Sequence, residues 1–235
     1  IGINVLIFAP AFLLPELGKA MAGLFALYFP KNDAFQIWQF LSYMFLHGNL
    51  THLFFNMFAL ASFGTPLGIL WGARRFITFY FVTGIGAGIV YTAVNALQFS
   101  NTYGHLLEAG FSPDSIMILL ESFKADPTLV AKVPRESIET LLSIYHSKAI
   151  GASGAIYGIL VAFGLLFPNA KLSLIFVPIP VAAKYFIPIL IAVDLVSGLT
   201  GFSLFGGGIA HFAHVGGALI GFLLMFYWKV RMART

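Results

Sequence analysis

Cysteine is missing altogether from the 235 residues, and charge is scarce, with 13 basic and 9 acidic side chains making up 9% of the chain. The first absence excludes disulfides and thiolate chemistry, and leaves the redox compartment open. The second excludes an ordinary soluble domain, which carries about a quarter charged residues. What fills the chain is hydrophobic, 59% of all residues, with a mean hydropathy of +0.91. The expected class is an all-α polytopic membrane protein, because uninterrupted apolar runs near helix-spanning length replace the ten-residue alternation of a barrel. Its constant partner is the lipid bilayer; no nucleic acid is expected, and no motif sets an oligomeric state. Ile1 is not an initiating residue, so the natural chain is expected to extend N-terminally, and nothing resembles a cleavable signal peptide.

Six spans can be threaded, at about 1–14, 51–70, 76–97, 150–167, 184–200 and 210–228. Pro15 ends the first, and Gly72-Ala73-Arg74-Arg75 stops the second. Between the first two lies an amphiphilic connection, 15–50, with a turn at Pro30-Lys31-Asn32-Asp33 and interfacial aromatics such as Trp38 and Tyr43. The one extended polar stretch is 98–149.

Charge then sorts the two faces. One set of connections holds Arg74, Arg75, Lys171, Lys184, Lys229, Arg231 and Arg234 and no acid; the other holds the remaining six basic residues and eight acids. The positive-inside rule assigns the first set and both termini to the cytoplasm. His52, Ser153 and His214 then all fall within about one helical turn of the outer ends of three different helices. Polar groups inside a membrane are costly, so three at one depth suggest function.

A serine hydroxyl needs a base, and histidine supplies one near physiological pH. Ser153 and His214 form such a pair if the fourth and sixth spans touch. Gly154 and Gly158 on one, and Gly217 and Gly221 on the other, permit close approach, although small residues serve generic packing equally well. His52 and Asn56, four apart, share a helix face. Both can donate to one oxygen, together with the Ser153 backbone amide, as an oxyanion hole requires. The same spacing suits a polar pair stitching helices together.

Three ordered motifs carry a resemblance. His47-Gly48-Asn49-Leu50-Thr51-His52-Leu53-Phe54-Phe55-Asn56, Gly151-Ala152-Ser153-Gly154, and Ala213-His214-Val215-Gly216-Gly217 with Gly221 resemble the rhomboid intramembrane serine proteases over about 36–97 and 150–228. The resemblance implies a single six-transmembrane-helix rhomboid-like bundle over 1–235 that cleaves transmembrane or membrane-adjacent segments of other membrane proteins. It implies Ser153 as nucleophile and His214 as general base in a dyad without a third acid. It further implies His52 and Asn56 as oxyanion donors, Tyr157 as the ring packed on His214, and the Gly151 and Gly154 backbone as part of the motif. His47 would line the same outer cavity. Substrate would approach between the second and fifth spans, with Phe202 to Phe205 in a mobile cap. A bacterial cytoplasmic membrane is the location expected from the family. A catalytically silent, client-binding rhomboid-like protein is the alternative. A transporter is disfavoured because no internal repeat is found.

Several features depart from the family pattern. Trp38-Gln39 stands where Trp-Arg is common, Gly68 where a glutamate is common, and 98–149 where the connection is usually short. Within that insert, Ser112-Pro113 caps one helix, with Ile116, Leu119, Leu120 and Phe123 on one face, and Pro134 starts another, with Ile138, Leu141, Leu142 and Tyr145. Both lie on the active-site side as a passive surface cap or, alternatively, as a lid that helps select substrates. Asp194 is the one acid within a span, and two readings stand for it: a third catalytic member that orients a histidine, or a structural, hydrogen-bonded or neutral carboxyl; the threading, which places it well below His214, favours the second. His211 is expected to cap the sixth helix. Metal catalysis is disfavoured, since no glutamate accompanies a histidine pair, and no cofactor is called for.

Overall fold

The structure, a computed structural model, describes residues 1–174, 177–201 and 210–232. Helices α1 (Gly2–Leu13) and α2 (Pro15–Phe25) lead to strand β1 (Leu27–Tyr28), the short α3 (Gln39–Ser42) and a single 3-10 turn at Tyr43–Phe45. Next come α4 (Leu50–Trp71) and α5 (Ala73–Glu108), then α6 (Pro113–Ser122), α7 (Pro127–Val130) and α8 (Arg135–Tyr145). Strand β2 (Lys148–Ala149), α9 (Ser153–Leu166), hairpin strands β3 (Lys171–Leu174) and β4 (Val177–Ala182), α10 (Ala183–Thr200) and α11 (His211–Met232) complete the order.

The all-α polytopic membrane fold read from composition is the fold observed. Among the described residues α4, α5, α10 and the His211–Lys229 part of α11 are long and apolar enough to cross a membrane, and α1 and α9 are shorter apolar helices at two further expected positions. Local chemistry sets the boundaries. The Asn49 side chain accepts from the His52 amide at 2.8 Å and starts α4. Gly72, at φ +77°, turns α4 directly into α5. On the same face the Arg75 guanidinium lies 4.0 Å over the Trp228 ring, fixing this turn to α11.

Helix α9 is the centre of the bundle. Every residue from Gly154 to Phe163 is buried, and α4, α5, α10 and α11 surround it. Ser153, at its N-terminal end, is partly exposed, whereas the ten residues that follow are buried. With 14 residues α9 is about 21 Å long, shorter than the roughly 30 Å hydrocarbon layer.

Helix α5 does the opposite. Its 36 residues extend about 54 Å, beyond the expected 76–97, and the surplus turns support the insert. Phe99 and Leu106 of α5, Phe29, and the apolar faces of α6 and α8 form a second core separate from the membrane bundle. Ile116, Leu119, Leu120, Leu141 and Tyr145 are buried in it as the periodicity predicts. Phe123 is the exception, 64% exposed, because it closes α6 in the left-handed conformation. The insert thus buries its amphipathic faces against itself and α5 rather than offering them to lipid. Strand β2 pairs with β1, Leu27 opposite Ala149 and Tyr28 opposite Lys148, so the insert ends clamped four residues before Ser153. Neither strand pair was expected from the sequence.

Candidate functional site

Ser153 opens α9 from a turn that only glycine suits. Gly151 has φ +120°, and a Cβ there would stand 2.7 Å from His52 Nε2. The Gly151 amide donates to the Tyr43 carbonyl at 2.9 Å, holding the turn against the 3-10 segment. As the first helical residue, Ser153 carries one of the amides for which a helix has no internal acceptor.

His214 meets Ser153 because α9 and α11 touch backbone to backbone. A Cβ on Gly221 would come 2.6 Å from the Gly158 Cα, and one on Gly217 would overlap the Gly154 carbonyl. Gly154 also fits against Ala87, where its own Cβ would be 2.6 Å from a methyl. At this separation His214 Nε2 lies 2.8 Å from Ser153 Oγ. The Tyr157 ring stacks on His214 with centroids 4.3 Å apart and planes 11° from parallel.

Asp194 is not where the threading put it. Its Oδ1 lies 3.1 Å from His214 Nδ1 and 2.5 Å from His211 Nδ1, and its Oδ2 accepts a hydrogen bond from the Tyr157 hydroxyl. Depth counted along the helices misled by about one turn. Asp194 is six residues from the end of α10 and His214 three from the start of α11, an offset of about 4.5 Å that two side chains span. His211 likewise does more than begin α11. A donor set of Asp194, His211 and His214, with ligand atoms within 4.8 Å of one another, has the spacing to hold a metal ion, although here the three satisfy one another by hydrogen bonds. Two signals were legible: histidines three apart share a helix face, and a lone acid in a span needs partners.

His52 faces the serine turn with Nε2, as the Gly151 contact requires. The Gly48 amide points at its Nδ1 at 3.5 Å, which favours the tautomer that carries the proton on Nε2. Asn56 is buried one turn along, and its amide donates to the His52 carbonyl at 2.9 Å. His47 is beside them, with its ring 5.1 Å from that of His52 and both nitrogens buried without a hydrogen-bond partner among the described residues. Burial, followed by the neighbouring His52, lowers its pKa from 6.5 to about 4, with the nearby Phe45 carbonyl pulling the other way. His47 is therefore neutral in the folded protein above about pH 4, whereas the unfolded chain takes up a proton below 6.5. Stability is expected to fall as pH drops through that window. The unfolding midpoint in detergent, followed from pH 7.5 to 4.5, should fall less steeply in His47→Leu; an unchanged slope would show that other groups set it. Phe202 to Phe205 lie outside the described residues.

Comparison with known proteins matches the Rhomboid domain to residues 34–116 and 128–230. Rhomboid protein 1, mitochondrial, of Saccharomyces cerevisiae is 27% identical over 183 residues, covering 78% of this chain and 39% of that protein. Rhomboid protease AarA of Providencia stuartii is 26% identical over 193 residues, 80% of this chain and 54% of its own. Presenilin-associated rhomboid-like protein, mitochondrial, of Homo sapiens is 26% identical over 239 aligned positions, 98% and 49% of the two chains. The chain thus spans about half the length, or less, of these relatives. The names of several relatives overturn the bacterial cytoplasmic membrane: those from budding yeast, fission yeast and human are mitochondrial by name. The expectation failed because hydropathy and charge register a bilayer and its two sides, not the organelle that owns it.

Proposed function

The chain belongs to the rhomboid family, and from that premise we propose that it is an intramembrane serine endopeptidase of a mitochondrial membrane, acting on the transmembrane or membrane-adjacent segments of other membrane proteins. The observation that carries this reading is the 2.8 Å contact between His214 Nε2 and Ser153 Oγ, formed at the N-terminal end of a short buried helix. Residues 1–235 act as one rhomboid membrane domain with six apolar helices, and 98–149 is an insert on the active-site side.

His214 Nε2 takes the hydroxyl proton as Ser153 Oγ attacks the scissile carbonyl. The negative charge that develops on the carbonyl oxygen falls to the Ser153 amide, His52 Nε2–H and the second N–H of Asn56. His214 returns its proton to the leaving amine, the peptide C–N bond breaks, and an acyl ester remains on Ser153. Water, deprotonated by the same imidazole, hydrolyses that ester. This water reaches Ser153 at its partly exposed position at the end of α9. A substrate helix must unwind to be cut, since its carbonyls are otherwise occupied by its own hydrogen bonds.

The test is cleavage of a panel of single-span reporter proteins co-reconstituted with the full chain in lipid vesicles, with products mapped by mass spectrometry. Ser153-dependent cuts in or next to the span are expected. Retention of reporters without any Ser153-dependent cut would support the silent client-binding alternative.

A further inference from the structure

Of the donors gathered around Asp194, the mechanism above uses only one, His214. The carboxylate lies on α10 with 6% of its residue surface exposed, and it accepts from two imidazoles and a phenol supplied by α11 and α9. Such a cost inside a membrane needs a return. If Asp194 were only a packing bond between helices, Tyr157 and His211 would satisfy one oxygen each. Instead Oδ1 is shared, and the second donor is the candidate base itself. A histidine that accepts the serine proton on Nε2 must carry its own proton on Nδ1, so an acceptor at Nδ1 selects the working tautomer.

His211 explains how the acceptor is kept there. Three residues before His214 on the same face of α11, with its ring 86° to the other and centroids 6.4 Å apart, it directs its own Nδ1 at the same oxygen. Its 2.5 Å contact is the closer of the two and stops the carboxylate from swinging away from His214. On the far side Tyr157 fixes Oδ2 through its hydroxyl while its ring supports the His214 ring. We propose that Asp194 and His211 are positioning residues for the reaction, Asp194 holding His214 in its Nδ1–H tautomer and His211 holding Asp194. The chain thereby extends the serine–histidine pair into a four-residue relay of hydrogen bonds, in which no proton passes beyond His214. This rests on the serine-hydrolase reading.

The test measures fluorophosphonate adduct formation by intact mass, together with reporter cleavage, on the full chain and on Asp194→Asn, His211→Ala, His211→Asn and His211→Gln, with thermal midpoints alongside. Asp194→Asn is expected to lower kcat by about 10²-fold or more with KM unchanged. His211→Ala is expected to lower it by about tenfold. His211→Asn, whose amide N–H falls near the position of Nδ1–H, should recover most of that loss, whereas His211→Gln, which imitates Nε2, should not. Wild-type kcat in both Asp194→Asn and His211→Ala would overturn the proposal while leaving Ser153 labelling intact. Equal losses in the Asn and Gln variants that follow the thermal midpoint would also overturn it, by reducing His211 to a packing role. A wild type without any Ser153-dependent adduct would remove the hydrolase reading and this proposal with it.

Discussion

His214→Ala is expected to lower peptide hydrolysis by about 10⁴-fold or more, and Ser153→Ala by a similar factor. The double variant should be no slower than either single one. That non-additivity follows from the 2.8 Å contact: the hydroxyl is a poor nucleophile without the imidazole, and the imidazole has no proton to take without the hydroxyl. Whatever rate is left comes from the oxyanion donors and from binding, which both substitutions spare. Reporter cleavage under single-turnover conditions reads the chemical step directly. Losses that multiply in the double variant would mean that Ser153 and His214 act in separate steps.

The second large effect is expected at a residue that has no chemistry. Gly217→Val places branched carbons where the Gly154 carbonyl already stands, and backbone, unlike a flexible side chain, has nowhere to retreat. The helices must separate, at a cost of about 3 kcal/mol or more. Because Gly154 follows Ser153 and Gly217 is one turn from His214, separation also lengthens the Nε2 to Oγ contact. A misplacement of about 1 Å costs roughly a hundredfold in rate. The variant should therefore lower both the unfolding midpoint and kcat. Gly23→Val, at a helix position with open space around it, is the control that should change neither. Full activity in Gly217→Val would mean that the α9–α11 contact does not set the distance.

Most of the candidate site was legible because rigid local rules carry it. Hydropathy placed the apolar helices, and four-residue spacing put His52 beside Asn56 and glycine against glycine on α9 and α11. The 3.6 period found Ile116, Leu119, Leu120 and Leu141, now buried in the second core. What escaped depends on side-chain reach and on pairing between distant segments. Asp194 was judged by the height of its Cα, yet a carboxylate and an imidazole each extend several ångströms, enough to cancel one helical turn. The pairing of Leu27 with Ala149 joins residues more than a hundred positions apart, and two-residue strands have no periodicity to read. Phe123 was assigned to the apolar face of α6, but a helix end in the left-handed conformation turns its last side chain outward. The location failed for a different reason, since nothing in the span pattern distinguishes one bilayer from another.

The central claim is that Ser153 is an activated nucleophile, and it can be tested without knowing the substrate. Purified protein is treated with a fluorophosphonate and weighed intact, beside Ser153→Ala and His214→Ala. A single adduct on the wild type that is missing from both variants is the predicted result. A folded wild type that gains no mass, or an adduct that persists in Ser153→Ala, would contradict the account.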